Sequence, residues 1–497
     1  MNFTAIDWAI LIAYLSVTVF IGIWVKKYVQ NLSGYVVAGR KIKVSLGIAT
    51  FTATELGTVT FVYFGELGYV TGFACFIIGI LALFAYTFVG KTGFIIEKLR
   101  EYGMMTIPEF YELRYNKKVR ILGGLILFIG GVLNMGIFLK FDGIFLSEVM
   151  GFGPQALGFI MTLMLVIVMS YTILGGMFSV VITDFMQYVV LSFAMLITTI
   201  IVILEVDLST ISDAVTSGYG EGGVNPIINP RFGWSFIIWI LVTNIAAAAL
   251  WQPGTSKALS SKSPEVAKKV FWFTGLTFAG RAMIPMFWGV AAFAYFGPGE
   301  NTAAAMPMLL GELLPVGLLG LLVAGLLAAS MSTYSSYVLA WSSVLTLDVI
   351  STLSPNGFSE ERKIWIARFV AGLIGLFLLV FGLWYQIPET AFQYIFITGT
   401  MYTAGALGTV SAGLYWKKAN AVGAHSALIL GAVVPAGFLV LEKFSEHLPG
   451  WLAFITDVNF AGFLSFILAA LGMILGSLLT QKKSPAKVIN EAEISYE

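Results

Sequence analysis

Uninterrupted apolar runs recur along the whole of this 497-residue chain, and several exceed the roughly 20 residues that an α-helix needs to cross a bilayer. The runs are too long and too continuously apolar for the alternating strands of a membrane β-barrel. Charged residues make up only 11% of the sequence, against about 25% in soluble domains. The sequence therefore predicts an all-α polytopic membrane protein embedded in a lipid bilayer.

Connectors that are charged or rich in glycine and proline divide the apolar runs into thirteen predicted transmembrane helices. The predicted spans are 6–26, 45–70, 72–93, 118–147, 154–173, 178–205, 233–254, 270–297, 316–349, 361–385, 389–415, 420–441 and 459–480. The connector 206–232 is predicted to be an ordered external loop or lid, and the charged tail 481–497 to be flexible.

Lysine and arginine are concentrated in alternate connectors, one of which holds Lys257, Lys262 and Lys268. Cytoplasmic loops retain basic residues, and the opposite connectors carry almost none. The asymmetry predicts a multi-pass protein of the plasma membrane, or of the inner membrane in a Gram-negative cell. Its N-terminus is predicted to lie outside and its C-terminus in the cytoplasm.

Several ionisable side chains fall well inside the predicted spans, where desolvation is costly and function is the default expectation. They are Glu55, Glu66, Lys140, Asp142, Asp184 and Arg281. Alternatively, these side chains pair and lock the helices together, or Lys140 extends to the outer water.

The second predicted span contains the segment "TFTATELGTVTFVYFGELGY" around Glu55. Its glycines and β-branched residues disfavour a continuous helix, and unwound backbone would expose carbonyl oxygens able to bind a cation. Alternatively, Gly57, Gly65 and Gly68 serve only close packing between helices. The sequence leaves both interpretations open.

The ninth predicted span carries the segment "LLAASMSTYSSYVLAWSS", which is dense in hydroxyl groups although hydrocarbon offers them no water. Ser332 lies three residues before Ser335 and four before Ser336, so these pairs share a helix face. Sodium is a hard cation that prefers oxygen ligands, which hydroxyls and free carbonyls provide. Alternatively, the hydroxyls bond to carbonyls of their own helix or to neighbouring helices.

Four segments, in order along the chain, resemble the sodium/solute symporter family. They are "YVVAGRKI", "MMTIPEFYELRY", "YTILGGMFSVVITDFMQ" and "AASMSTYSSYVLAWSS". Thirteen spans with an external N-terminus are also similar to the larger members of that family.

The resemblance implies the leucine-transporter fold, in which two inverted five-helix repeats form the core. The repeats would be 45–205 and 233–415, with the external loop 206–232 between them. Residues 1–44 would form an extra N-terminal helix and a cytoplasmic turn, and 416–480 two C-terminal helices before the cytoplasmic tail. The second and seventh spans would be discontinuous near the bilayer midplane, as is typical of such carriers.

The resemblance also implies up to two sodium sites. The first would take the backbone oxygens of Ala53, Leu56 and Ala329 and the hydroxyls of Ser332 and Thr333. The second, which only some members have, would take Asp184, Ser335 and Ser336. Whether one or two sodium ions are coupled stays open.

For the solute, the resemblance places Glu55 on the discontinuous helix beside the central cavity, and Lys140 in a region where family members contact substrate. A carboxylate and an ammonium lining one cavity would suit a zwitterion, so an amino acid or a related compound is favoured. If Glu55 is only an indirect sodium ligand and Lys140 points to the outer water, neither reports on the solute. A sugar or a monocarboxylate is then the alternative.

The sequence thus predicts a sodium-coupled symporter that imports a small organic solute by alternating access. We expect it to function as a monomer, without organic cofactor or nucleic acid. A proton-coupled carrier of the same fold is the alternative, with Glu55 or Asp184 carrying the proton. The chain has no Gly-rich phosphate loop, Gly-x-Ser-x-Gly or His-Glu-x-x-His motif, so an ATP-driven pump and an enzyme are not predicted.

Overall fold

The computed structural model describes residues 3–28, 31–150, 152, 154–299, 301–385, 391–442, 444, 449, 457–487 and 489. Within these ranges the chain forms helices and no β-strand. The α-helices are Ala5–Trp24, Leu32–Val37, Val44–Thr54, Thr58–Thr71, Phe76–Thr92, Ile96–Glu101, Ile107–Arg114, Lys117–Met135, Phe138–Met150, Leu157–Val206, Leu208–Tyr219, Gly233–Leu250, Gln252–Leu259, Pro264–Phe296, Thr302–Leu313, Leu318–Val344, Ser351–Leu353, Glu360–Trp384, Ala391–Tyr415, Ala421–Leu441 and Val458–Thr480.

Each predicted span coincides with one of these helices, with part of one, or with a pair of them. By length and hydropathy, ten segments of the described chain could each cross a membrane. This confirms the predicted all-α, multi-pass membrane protein. Of the predicted tail 481–497, residues 488 and 490–497 lie outside the described residues, as do 389 and 390 at the start of the eleventh span.

The long helix Leu157–Val206 changes direction at Gly176, whose φ of 51° and ψ of −150° are not helical. Glycine alone adopts such a conformation readily, and a Cβ atom there would lie 2.7 Å from the backbone oxygen of Tyr35. The break separates the predicted spans 154–173 and 178–205. We call the part after it, residues 177–206, the sixth-span helix.

The helix Leu318–Val344, here called the serine-rich helix, lies at the centre of the bundle. In the segment Leu318–Leu353, 89% of the residues of the most apolar stretch are buried. The corresponding fraction in Leu157–Val206 is 33%. The serine-rich helix packs against both Leu157–Val206 and the first helix, Ala5–Trp24. Its hydroxyl groups therefore face other helices and not lipid.

The predicted external loop 206–232 contains a helix, Leu208–Tyr219, that the sequence prediction missed. Its apolar side is anchored by Ile211 and Val215, which are buried. The glycine, proline and asparagine residues that dominated the prediction follow this helix, in residues 220–230.

Candidate functional site

The second predicted span is interrupted, as expected, and forms the first broken helix, which consists of Val44–Thr54 and Thr58–Thr71. The backbone is irregular at Glu55 to Gly57, where Gly57 is extended with φ −96° and ψ 165°. At such a break the backbone groups of the helix ends are no longer all paired within one helix.

Glycines in the second half of the first broken helix serve close packing against the helix Pro264–Phe296. A Cβ atom on Gly68 would lie 2.0 Å from the backbone oxygen of Met286, and one on Gly289 would lie 1.8 Å from that of Gly65. Both sequence interpretations therefore hold in different places. Gly57 stands at the break, whereas Gly65 and Gly68 allow two helices to touch.

The seventh predicted span is also interrupted, and forms the second broken helix, which consists of Gly233–Leu250 and Gln252–Leu259. Trp251 is extended at the break, with φ −81° and ψ 108°, and Pro253 stands in the first turn of the second half. Proline is tolerated there because the first turn of a helix does not need its N–H groups.

Both breaks meet the serine-rich helix at one side chain, Tyr337. Its hydroxyl donates a hydrogen bond of 3.1 Å to Oε2 of Glu55. The indole Nε1 of Trp251 donates a hydrogen bond of 2.9 Å to the same hydroxyl. The two discontinuities and the serine-rich helix thus form one connected polar junction.

Six hydroxyls of the serine-rich helix fall into two groups. Those of Thr333, Ser335 and Ser342 donate to carbonyls of their own helix, at 3.0–3.1 Å. Ser330 and Tyr334 instead donate to Asp142, and Ser332 to Asp184. The first group makes the hydrogen bonds that the alternative interpretation describes, while the second group holds buried carboxylates.

The residues predicted for the first sodium site lie where the first broken helix faces the serine-rich helix. Ala53, Leu56, Ala329, Ser332 and Thr333 are all buried, with at most 3% of their surface exposed. The hydroxyl of Thr333 bonds to the backbone oxygen of Ala329 at 3.1 Å. Ser332 instead directs its hydroxyl to Asp184, at 2.6 Å.

Asp184, on the sixth-span helix, is fully buried among donors. Its carboxylate accepts hydrogen bonds from the hydroxyls of Ser332 and Thr50. The ammonium of Lys257 lies 3.3 Å from Oδ2 of Asp184 and 3.0 Å from Oγ of Ser336. Two of the three residues predicted for the second sodium site, Asp184 and Ser336, are thus brought together around a lysine.

The sequence prediction placed Lys257 in a cytoplasmic connector, and this was wrong. Lys257 belongs to the second half of the second broken helix, and its side chain is fully buried. The burial of Lys257 could have been predicted from Asp184, because a carboxylate within a membrane span is expected to pair with a cation.

A cavity lies against both helix breaks. It is lined by Glu55, Gly57, Thr60, Tyr63, Tyr86, Asn134, Phe138, Thr243, Asn244, Ala247, Trp251, Phe278, Arg281, Thr333, Tyr337, Ile395, Phe396, Gly399 and Thr403. Aromatic rings supply much of its wall, and one acidic and one basic side chain, Glu55 and Arg281, supply its charges.

Several polar atoms of this cavity have no hydrogen-bond partner within the described part of the chain. They are Oε1 of Glu55, Nε and Nη1 of Arg281, Oγ1 of Thr243 and Nδ2 of Asn244. The guanidinium of Arg281 is held over the ring of Phe278, with its central carbon 3.7 Å from the ring centroid. Buried polar groups without partners are costly, so this arrangement suits a ligand that supplies the missing bonds.

Lys140, predicted to contact the solute, does not line this cavity. Its ammonium donates a hydrogen bond of 2.6 Å to the backbone oxygen of Tyr385, just after the helix Glu360–Trp384. The carbonyls at a helix C-terminus lack partners within the helix and attract cations. The basic side chain that lines the cavity is instead Arg281. For this residue the sequence left open whether it forms a structural ion pair or has a functional role.

Two of the remaining charges within the predicted spans, Glu66 and Asp142, have structural partners. Glu66 accepts a hydrogen bond of 2.7 Å from Thr302 at the start of the helix Thr302–Leu313. Asp142 accepts hydrogen bonds from Ser330 (2.9 Å) and from Tyr334, both on the serine-rich helix. The predicted alternative that intramembrane charges lock helices together therefore holds for these two.

Comparison with known proteins gives consistent results along almost the whole chain. The model of the sodium:solute symporter family matches residues 35–431. The sodium/sialic acid symporter SiaT of Proteus mirabilis is 25% identical over 454 residues, which covers 87% of this chain and 89% of the relative. The sodium/glucose cotransporter of Vibrio parahaemolyticus is 26% identical over 479 residues, covering 88% and 85%. A solved structure of a Na⁺-coupled sialic acid symporter, substrate-bound and outward-open, matches with a TM-score of 0.82 at 22% identity, over 98% of this chain and 100% of that chain.

Proposed function

Since the chain belongs to the sodium:solute symporter family, we propose that it imports an amino acid or a related zwitterion together with sodium. The predicted family resemblance is confirmed, and the protein is a multi-pass membrane transporter and not an enzyme. Sodium is its co-transported ion and a small solute is its cargo. The identity of that solute is the part that rests on the cavity.

The observation that carries the choice of solute is the pair of opposite charges in the cavity. Glu55 and Arg281 both line it, and each keeps polar atoms without a hydrogen-bond partner among the described residues. A solute with a carboxylate and an ammonium can satisfy both, and charge-assisted hydrogen bonds are stronger than neutral ones. A simple monocarboxylate would bring no cation to Glu55, and a neutral sugar would bring no opposite charge to either side chain.

The aromatic wall suits the apolar part of such a solute. Tyr63, Tyr86, Phe138 and Phe396 line the cavity beside the two charged groups. Binding sites commonly combine apolar and aromatic walls with a few placed polar groups. The relatives named above carry different solutes, a sialic acid and glucose, so the cavity and not the comparison supports the zwitterion.

For sodium, we retain the predicted first site, with the backbone oxygens of Ala53, Leu56 and Ala329 and the hydroxyls of Ser332 and Thr333. Two observations support this site. The first broken helix is interrupted just after Ala53 and Thr54, and this part of it contacts the serine-rich helix, where Oγ1 of Thr54 is 2.9 Å from Oγ of Ser336. Unwound backbone carbonyls at such breaks are suited to coordinate Na⁺.

The mechanism we propose is alternating access by two inverted repeats, residues 45–205 and 233–415. The presence of one broken helix at the start of each supports this division. With an external N-terminus, as the distribution of basic residues predicts, sodium enters from outside. Each sodium ion that moves down a 100 mV potential contributes roughly 2.3 kcal/mol to solute accumulation.

The test is a thermal-stability screen of the purified protein in sodium chloride and in choline chloride. The ligands are amino acids, the corresponding deaminated acids, and neutral sugars. Amino acids are expected to raise the melting temperature, and to do so more strongly in sodium. Equal stabilisation by sugars or by deaminated acids would contradict the proposed solute class.

A further inference from the structure

Lys257 stands where the predicted second sodium site would bind its ion. Its ammonium contacts Oδ2 of Asp184 at 3.3 Å and Oγ of Ser336 at 3.0 Å. It also lies 3.8 Å from the sulfur of Met177. Two of the three residues predicted to bind sodium therefore already have a cation, and that cation belongs to the protein.

The oxygens around this ammonium are also occupied by other donors. The hydroxyls of Ser332 and Thr50 donate to Asp184, and Oγ1 of Thr54 shares a hydrogen bond of 2.9 Å with Ser336. A sodium ion entering this cluster would have to displace these hydrogen bonds. It would also meet the positive charge of Lys257 within a few ångströms, in surroundings that screen charge weakly.

Lys257 is held in place by the short helix that carries it. Gln252, at the start of this helix, accepts a hydrogen bond of 2.9 Å from the backbone N–H of Ile107. At its other end, the backbone N–H of Ile42 donates to the oxygen of Ser260 at 3.1 Å. The helix is thus fixed at both ends, and every residue from Gln252 to Leu259 is buried. The side chain of Lys257 itself is fully buried within this fixed helix.

We propose that the ammonium of Lys257 is a built-in cation that occupies the second sodium position, so that the protein binds one sodium ion, at the first site. The inference rests on the sodium coupling proposed above and specifies its stoichiometry. It also explains why a lysine is buried at bilayer depth, where an isolated charge would be strongly disfavoured. The pair of Asp184 and Lys257 is neutral overall without an ion from solution.

The substitution Lys257→Met removes the charge and keeps an unbranched side chain. Asp184 would then be a buried carboxylate without its cation, in a cluster of hydroxyls, and sodium would become its natural partner. Lys257→Arg keeps the charge and is the matched control. The double variant Lys257→Met/Asp184→Asn removes both charges and so restores a neutral cluster.

The experiment counts sodium ions bound per purified full-length protein by equilibrium binding of radioactive sodium, with no solute present. We expect one ion for the wild type and for Lys257→Arg, two for Lys257→Met, and one for the double variant. The melting temperature of Lys257→Met is also expected to rise more steeply with sodium than that of the wild type.

Two sodium ions bound to the wild type would overturn the inference, even if Lys257→Met cannot be purified. One ion bound to a folded Lys257→Met protein would overturn it as well. Sodium binding that is absent from the wild type would instead contradict the proposed sodium coupling itself. The two failures are therefore distinguishable from a single set of measurements.

Discussion

The hydroxyl of Tyr337 donates a hydrogen bond of 3.1 Å to Oε2 of Glu55, a residue that lines the cavity, and Oε1 of that carboxylate has no hydrogen-bond partner among the described residues. The same hydroxyl accepts a hydrogen bond from Trp251 at the second break. One carboxylate oxygen thus holds Glu55 to the bundle, and the other remains available for a solute. The position of Glu55 depends on both broken helices at once.

We predict that Tyr337→Phe weakens solute binding by about ten-fold or more, because a hydrogen bond to a charged group contributes about 1.5–3 kcal/mol. The measurement is the apparent affinity for the solute at saturating sodium. Tyr334→Phe, on the same helix, is the control. Its hydroxyl donates to Asp142, away from the cavity, so this change should lower the melting temperature and leave solute affinity nearly unchanged. Equal losses of affinity in both variants would contradict a specific role for Tyr337.

The two charged side chains of the cavity are predicted to bind opposite ends of the solute, Arg281 its carboxylate and Glu55 its amine. Arg281→Gln should reduce the affinity for carboxylate-bearing solutes by about ten-fold or more, and Glu55→Gln should reduce it only for solutes that carry an amine. Transport of an amino acid and of its deaminated analogue by each variant is the measurement. Lys140→Gln is the control and should leave both affinities unchanged, since Lys140 bonds to Tyr385 outside the cavity. If Glu55→Gln alters only the sodium response, the proposal that the solute is a zwitterion is contradicted.

Sodium dependence is predicted to be sensitive to Ser332→Ala and Thr333→Ala. Each removes a hydroxyl from the proposed sodium shell, which should cost about 1–3 kcal/mol and raise the sodium concentration for half-maximal transport. Ser342→Ala removes a buried hydroxyl that donates to the carbonyl of Leu339 in its own helix, at 3.1 Å, and should leave the sodium response intact. If well-expressed Ser332→Ala and Thr333→Ala proteins behave like Ser342→Ala, the first site does not include these hydroxyls.

Because the first broken helix packs closely against the helix Pro264–Phe296, one added methyl group between them is predicted to lower the stability of the protein. In Gly289→Ala the new Cβ would lie 1.8 Å from the backbone oxygen of Gly65, so the helices must separate, at a cost of about 1–3 kcal/mol. In Gly280→Ala, on the same helix, the new Cβ would have no atom of another described element within 4 Å, so this change should not destabilise the protein. Melting temperatures of the two variants provide the comparison. Similar values would show that this contact is less tight than the structure indicates.

The membrane architecture could be predicted from the sequence because hydrophobic length is a local property. Each predicted span coincides with helix in the structure, and the combination of Gly57 with β-branched neighbours made the first break one of two open interpretations. The second break was expected from the family resemblance, and the structure places it at Trp251, within the predicted span 233–254.

Individual side chains were less predictable because their partners are far away in the sequence. Lys140 bonds to a residue 245 positions further along, and Lys257 to one 73 positions before it. The residues around Lys257 include proline, glycine and serines, a composition typical of a loop. In the structure this segment is a buried helix. Arg281 was correctly identified as a charge within a span, but its place in the cavity follows from packing against Phe278.

The central claim of sodium-coupled transport is tested most directly by uptake into proteoliposomes that hold the purified protein. Radiolabelled amino acid uptake is measured under an imposed sodium gradient without a proton gradient, and then under a proton gradient without sodium. We predict accumulation above equilibrium with the sodium gradient alone, and no accumulation with the proton gradient. Accumulation driven by protons in the absence of sodium would contradict the account.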